Sequence, residues 1–222
     1  IFYNTYMINR TFTLNTYIEK YFKSMEEDLE RNVLKKDTVD NIFSNIYKFF
    51  DECITKEEYY VCNNITEKNG ELFQQLIKHC NQLFLSEDKE KEKLAEYIFN
   101  KIIISGCYQI ESAKKINNKS YLSDLFEQQE KNIKLCLKIN NFEWFKKYIR
   151  KINLIASENE DKEILENLYN MNESIGINLL DQEKTYFEWF IKEIYNLNLS
   201  LKYLYDNVNF KYFAKLITIL LI

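Results

Sequence analysis

Apolar residues recur at helical spacing along almost the whole chain. In residues 12–34, one apolar side chain follows another after three or four positions. This spacing places them on one face of a helix, because an α-helix turns once in about 3.6 residues. The same period returns in residues 39–50, 72–84, 94–110, 120–139, 142–156 and 164–171. The pattern predicts an all-α protein, a multi-helix bundle of long antiparallel helices that contains several cysteines.

The last predicted helix has the most regular apolar pattern. Its apolar positions alternate in steps of three and four from Phe187 to Val208. This is the spacing of a coiled-coil seam. We expect the seam to pair with another helix of the same chain, and a partner chain is the alternative.

Polar residues predict where the helices begin and end. Asp37, Ser86 and Ser157 stand before apolar periodic segments and are typical N-cap residues. Residues 56–70 are predicted to form the least regular connection between helices. They contain several asparagines, which are common in turns, and end in the turn dipeptide Asn-Gly. Residues 174–177 predict a further helix end.

Composition changes this picture only slightly. The chain has 3 Gly and no Pro among 222 residues, which favours unbroken helices, but a codon bias toward Lys, Asn and Ile would give the same scarcity. We find no linker and no fixed repeat of 33 to 45 residues that would mark a known solenoid. We therefore expect residues 1–222 to form a single domain. The first residue is not Met and no targeting segment follows it, so we interpret the chain as a fragment of a larger protein.

Charge and motifs limit the possible functions. The formal net charge of -4 argues against nucleic acid as the main partner. The apolar residues 216–222 are too few to span a bilayer, so we expect no membrane insertion by this fragment. The sequence has no phosphate-binding glycine loop, nucleophile elbow or zinc-protease motif. We expect no catalysis, no cofactor and no metal site.

Five cysteines allow two interpretations. They are Cys53, Cys62, Cys80, Cys107 and Cys136. They could be buried free thiols, which pack as small hydrophobic groups, or they could form one or two disulfides in a secreted domain with one cysteine left over. Cys53 and Cys62 flank a short polar connection, so a local bridge between them is the simplest pairing.

A possible contact face lies on the helix predicted at residues 142–156. Trp144, Lys147, Tyr148 and Lys151 follow the spacing i, i+3, i+4, i+7 on the side away from the main apolar stripe. Exposed aromatic and basic side chains suit an anionic partner, such as a sialylated glycan, an acidic protein or nucleic acid. We predict receptor contact by these four residues. The alternative is a two-sided helix, with Trp144 packed against a neighbour.

The cysteine series from Cys53 to Cys107, the sequence around residues 59–65 and the Asn/Lys/Ile/Tyr-rich composition resemble one known family. The chain resembles the erythrocyte-binding region of the reticulocyte-binding protein homologues of malaria parasites (Plasmodium), and is most like a rodent-malaria rhoptry member. The resemblance covers most of the chain. It implies a secreted helical domain with disulfides, which passes from the rhoptry to the merozoite surface.

The resemblance also implies a function. Such a domain would bind a host erythrocyte surface receptor, either a protein or a sialoglycan, without catalysis. The odd number of cysteines departs from a fully bridged domain and leaves the pairing open. The alternative function is an intracellular helical scaffold or a coiled-coil interaction module, which would keep its thiols reduced.

Overall fold

A computed structural model describes residues 2–31, 33–113, 115, 119–158, 161–182 and 184–196. Within these residues the chain forms eight α-helices and no strand. The helices are α1 (Phe2–Glu30), α2 (Lys36–Thr55), α3 (Tyr59–Phe84), α4 (Lys89–Ala113), α5 (Lys119–Lys138), α6 (Phe142–Ser157), α7 (Lys162–Gln182) and α8 (Lys184–Asn196). The prediction of an all-α, multi-helix protein is confirmed.

The helices form two layers that alternate along the chain. In one layer α1 packs against α3, α3 against α5, and α5 against α7; in the other α2 packs against α4, and α4 against α6. α8 extends the second layer, because Tyr186 stacks on Phe142 of α6 with the ring centroids 3.7 Å apart. Each helix also contacts its neighbour in sequence. The bundle is therefore a stack of helical hairpins, as in helical-repeat proteins.

The second layer contains an internal repeat. Residues 142–149 and 187–194 are identical at six of eight positions and lie 45 residues apart. Both segments lie at or near the start of a helix of this layer, and Phe145 and Phe190 at equivalent positions are both fully buried. This single recurrence is not a fixed repeat that would mark a known solenoid, so the expectation of no such repeat stays a prediction. Stacked hairpins favour such repeats, because each one must present similar apolar residues to the next.

One continuous cluster of buried apolar side chains extends from Met7 of α1 to Ile194 of α8. Phe22, Phe43 and Phe73 join the first three helices within it, with ring centroids 5.6 to 6.3 Å apart. The prediction of a single domain over residues 1–222 stays a prediction, because residues 197–222 lie outside the described part of the chain. Most of the predicted seam from Phe187 to Val208 lies there too.

The predicted irregular connection at residues 56–70 is mostly helix. Only residues 56–58 connect α2 to α3, and α3 then continues through Asn69 and Gly70. The prediction failed because Gly70 serves helix packing and not a turn. A Cβ atom at Gly70 would lie 2.2 Å from Oε1 of Gln128, the far end of a half-buried side chain of α5, so Gly70 lies at the contact between α3 and α5.

The predicted helix end at residues 174–177 is also wrong, since α7 continues to Gln182. Ser174 is a contact between helices. Its hydroxyl accepts a hydrogen bond from Nζ of Lys134 at 2.9 Å and donates one to Glu130 at 2.6 Å, both on α5. Ile175 is fully buried in the core. Tertiary packing therefore overrides the local turn signal here.

The N-caps of α4 and α7 are aspartates and not the predicted serines. Oδ1 of Asp88 and Oδ1 of Asp161 each accept hydrogen bonds from the backbone N–H groups two and three residues further on. Ser86 instead donates to the carbonyl of Leu83 in α3, and Ser157 is the last residue of α6. A carboxylate also interacts favourably with the positive end of the helix dipole.

Gly106→Ala is expected to lower the free energy of unfolding by about 1–3 kcal/mol, because overpacking a core strains its neighbours. A Cβ atom at Gly106 would lie 2.3 Å from Oε1 of Gln129, which is buried and accepts a hydrogen bond from Tyr148. Urea unfolding followed by circular dichroism measures the change. Gly70→Ala is the matched control, because its neighbour Gln128 is only half-buried and can move away. An equal loss in both variants would contradict this explanation.

Candidate functional site

The aromatic residues of the predicted contact face on α6 are not at the surface. Trp144 and Tyr148 are both 0% exposed, so the prediction that they form an exposed aromatic face is wrong. The Trp144 ring stacks on Phe99 of α4, with centroids 4.1 Å apart and an interplanar angle of 11°. Tyr148 donates a hydrogen bond to Oε1 of Gln129 at 3.0 Å. α6 is apolar on two sides, because it packs against α4 and α8 as well as against the other layer.

Of the four basic side chains of α6, Lys146 is paired with Glu143 of the same helix, and two others are paired with neighbouring helices. Nζ of Lys147 lies 2.7 Å from Glu96 of α4. Arg150 donates two hydrogen bonds to the carboxylate of Glu193 on α8, at 2.7 and 2.8 Å. Lys151 is exposed. These pairs join successive helices of one layer and neutralise much of the basic patch that was predicted for an anionic partner.

A different surface is both exposed and apolar. Four of the ten large hydrophobic side chains that the structure exposes lie on α1: Tyr6, Ile8, Phe12 and Tyr17. Phe12 is 74% exposed. We call the exposed side of α1 between residues 5 and 17 the α1 outer face. Its eight exposed residues are Thr5, Tyr6, Ile8, Asn9, Phe12, Thr13, Thr16 and Tyr17, and none of them is charged.

The polar groups of the α1 outer face are partly satisfied within the helix. The hydroxyl of Thr13 donates to the carbonyl of Asn9 at 2.9 Å, and the hydroxyl of Thr16 donates to the carbonyl of Phe12 at 2.8 Å. Covering these two residues would therefore leave few hydrogen bonds unmade. The face is about 18 Å long at the usual helical rise. An uncharged exposed patch of this kind is typical of a protein interaction surface.

Arg10 anchors this part of α1 to the hairpin of α2 and α3. Its guanidinium forms ion pairs with Glu58 and with Glu52, the latter at 3.1 Å. Tyr6 donates a hydrogen bond to the other oxygen of Glu58 at 3.2 Å. Burial lowers the pKa of Arg10, but hydrogen bonds to Glu58 and Glu52 outweigh this and hold it above its ordinary value. Arg10 therefore stays charged at any ordinary pH.

All five cysteines are buried free thiols in the structure. The predicted disulfides are therefore not formed in it. Cys53 and Cys62, for which the sequence predicts a local bridge, affect each other's titration: interaction with Cys62 lowers the pKa of Cys53, and interaction with Cys53 together with burial raises the pKa of Cys62. Burial raises the pKa of Cys107 to about 12 and also raises the pKa values of Cys80 and Cys136.

Two cavities among the described residues do not gather reactive groups. The larger one, about 530 Å³, lies near the C-terminal end of α1 above four leucines, with lysines and acidic residues at its rim. A smaller polar groove of about 210 Å³ lies between α3 and α5.

In the described part of the chain, no group of three or more His, Cys, Asp or Glu side chains is placed to hold a metal ion. None of the helices described is long and apolar enough to cross a membrane.

Comparison with known proteins adds a fold and no function. In sequence, the chain matches no protein-family model and no curated protein. In structure, it is similar to a solved chain from work on "Computational Design of Self-Assembling Cyclic Protein Homooligomers". The TM-score is 0.52 at 12% identity, and the match covers 97% of this chain and 92% of the other. At this identity the likeness concerns the helical fold alone.

Neither Arg10 nor the α1 outer face was predicted from the sequence. The composition nevertheless carries a signal for Arg10. Of 30 basic residues only three are arginines: Arg10, Arg31 and Arg150. Two of these three, Arg10 and Arg150, make two-point contacts with carboxylates in the structure. The planar guanidinium suits such contacts better than an ammonium group does. In a chain that otherwise uses lysine, each arginine is a candidate for a structural ion pair.

Proposed function

We propose that this chain is a non-catalytic protein-binding domain that contacts its partner through the α1 outer face. The observation that carries the proposal is the uncharged and aromatic exposed surface between Tyr6 and Tyr17. Protein interfaces are depleted in charge at their centre and enriched in aromatic residues. The stacked hairpins hold this surface in place through the ion pairs of Arg10.

The partner that we propose is a protein receptor on the host erythrocyte, encountered after secretion from the rhoptry to the merozoite surface. This part of the proposal depends on the resemblance to the reticulocyte-binding protein homologues. A protein fits the α1 outer face better than a sialylated glycan, because binding sites for carboxylates use cations and this face has none. The paired state of Lys147 and Arg150 also weakens the case for an anionic ligand at α6.

An intracellular helical scaffold is the second candidate. The two-layer stack of hairpins supports it, because such stacks often provide extended binding surfaces. Five free thiols also suit a reducing compartment. A thiol count on the protein isolated from its native source distinguishes the two candidates. Blocked thiols would favour the exported domain, and five reactive thiols after unfolding would favour the scaffold.

Phe12→Glu is expected to weaken binding of the purified chain to intact erythrocytes about ten-fold or more, because a central aromatic contact often dominates an interface. Phe12 is 74% exposed, so the variant should keep the stability of the wild type. Flow cytometry with labelled protein measures the binding, and circular dichroism checks the fold. We expect treatment of the cells with sialidase to leave binding unchanged.

Leu85→Glu is the matched control, because Leu85 is 71% exposed but lies just after the end of α3, outside the α1 outer face. It should bind as the wild type does. Equal binding by the wild type and Phe12→Glu would remove the α1 outer face from the proposal. If the wild-type chain does not bind erythrocytes, the proposed erythrocyte receptor is ruled out, and the intracellular scaffold becomes the favoured function.

A further inference from the structure

The cavity of about 530 Å³ lies at the end of the bundle where α2 and α4 begin. The C-terminal ends of α1 and α3 and the connections that follow them also line it. Its apolar lining consists of four leucines: Leu29, Leu34, Leu83 and Leu94. Leu29 and Leu34 are buried, whereas Leu83 and Leu94 are half-buried. The volume falls within the range of about 300–1,000 Å³ that is common for small-molecule pockets.

Five charged residues line the same cavity, but three of them already have partners. Oδ1 of Asp88 accepts hydrogen bonds from the backbone N–H groups of Glu90 and Lys91, at 3.0 and 3.3 Å. Glu90 forms an ion pair with Lys93 at 2.7 Å. Within the described ranges of the chain, Lys36 and Lys91 form no ion pair with a carboxylate. The rim therefore offers two positive charges that no carboxylate neutralises.

We propose that this cavity binds a single-chain amphiphilic carboxylate, such as a free fatty acid. Its alkyl chain lies against the four leucines, and its carboxylate lies at the rim beside Lys36 and Lys91. The binding is non-covalent and involves no reaction. The site is independent of the proposed receptor function, because the α1 outer face ends at Tyr17, whereas the cavity begins at Leu29.

The lining favours a ligand with an apolar chain and one anionic end. An inorganic anion would reach the lysines but would leave the leucines in contact with water. A neutral chain would cover the leucines but would make no use of the two charges. The ammonium of Lys36 lies 5.0 Å from the ring centroid of Tyr97 on α4, which holds its charge near the start of both helices. The first turn of α2 also lacks a side-chain cap, so the positive end of its dipole adds to the attraction for an anion.

Isothermal titration calorimetry of the full chain with decanoate, below its micelle concentration, tests the site. We expect one decanoate per chain. Each methylene group removed from the ligand should weaken binding by up to about four-fold, because a buried methylene contributes that much to affinity. Hexanoate should therefore bind far more weakly, and inorganic phosphate should not displace decanoate. Failure of decanoate to bind the wild type would overturn the site, and displacement by phosphate would overturn the role of the alkyl chain.

Lys36→Glu and Lys91→Glu are expected to weaken decanoate binding about five-fold each and about ten-fold or more together. An exposed ion pair contributes up to about five-fold in affinity, and each variant replaces attraction with repulsion. Both residues lie in the first turn of a helix, where an acidic side chain is favourable, so the variants should fold as the wild type does. Circular dichroism checks this. Decanol has no charge and should bind the wild type and the double variant equally.

Lys89→Glu is the matched control for Lys91→Glu, because Lys89 is exposed and lies in the same first turn of α4 but does not line the cavity. It should bind decanoate as the wild type does. Equal losses in Lys89→Glu and Lys91→Glu, or equal affinity of the wild type for decanoate and decanol, would overturn the role of the lysines. Sedimentation of the chain with phosphatidylglycerol vesicles in place of decanoate binding would assign this end of the bundle to a lipid surface and overturn the free ligand.

Discussion

Trp144→Ala is expected to lower the free energy of unfolding by about 3–5 kcal/mol, the usual cost of removing a large aromatic side chain from a core. The Trp144 side chain is fully buried, and its ring contacts Phe99 at 4.1 Å and Phe84 at 5.3 Å between centroids. These contacts join α6 to α3 and to α4. The variant would leave a cavity where three helices meet.

Urea unfolding followed by circular dichroism measures this loss. Trp189→Ala is the matched control, because Trp189 occupies the equivalent position of the internal repeat but is only half-buried. It should lose clearly less stability than Trp144→Ala. A similar loss in both variants would mean that the repeat position, and not the burial, determines the cost.

Trp144→Phe separates packing from hydrogen bonding. Nε1 of Trp144 is buried without a hydrogen-bond partner. Removing an unpaired polar group costs no hydrogen bond, so phenylalanine should recover most of the stability lost in Trp144→Ala. This outcome would assign the role of Trp144 to ring packing alone.

The apolar period of α6 was readable from the sequence, but its second buried side was not. The stripe through Phe145 and Ile149 is buried as predicted. Trp144 and Tyr148 lie on another side of the helix, and their burial depends on α5 and on α4, which is not adjacent to α6 in sequence. A period within one helix shows the side that faces the nearest core. It does not reveal a second neighbour in the layer.

The repeated segment could have supplied the missing information. Trp144 and Trp189 recur 45 residues apart with the same flanking residues. A recurrence at this distance indicates stacked hairpins, and a helix inside a stack has neighbours on both sides. Aromatic residues on both sides of such a helix are then core candidates before they are contact candidates.

Ion pairs between distant residues were beyond sequence reasoning. Lys147 and Glu96 lie in different helices, and Arg10 meets Glu58 across 48 positions. Charge alone does not indicate which carboxylate each cation reaches. By contrast, the position of Cys53 and Cys62 on either side of a short connection was readable from the sequence, but the bridge predicted there is not formed in the structure.

Glu58→Ala is the second variant with a large expected effect, a loss of about 3 kcal/mol in the free energy of unfolding. Removing one partner of a buried ion pair costs about 3–5 kcal/mol, because the remaining charge stays buried without compensation. The lower end applies because Arg10 keeps its second contact, with Glu52, and its side chain is 17% exposed.

The loss in Glu58→Ala should begin as a local event. Glu58 contacts α1 through Arg10 and Tyr6, so α1 should detach before the other helices unfold. Hydrogen exchange would then show faster amide exchange in α1 than in α5, and chemical unfolding would give the total loss. Glu58→Gln retains the hydrogen-bonding shape and should lose less than half as much. Uniform acceleration along all helices would show that Glu58 supports the whole stack instead of fastening α1 to it.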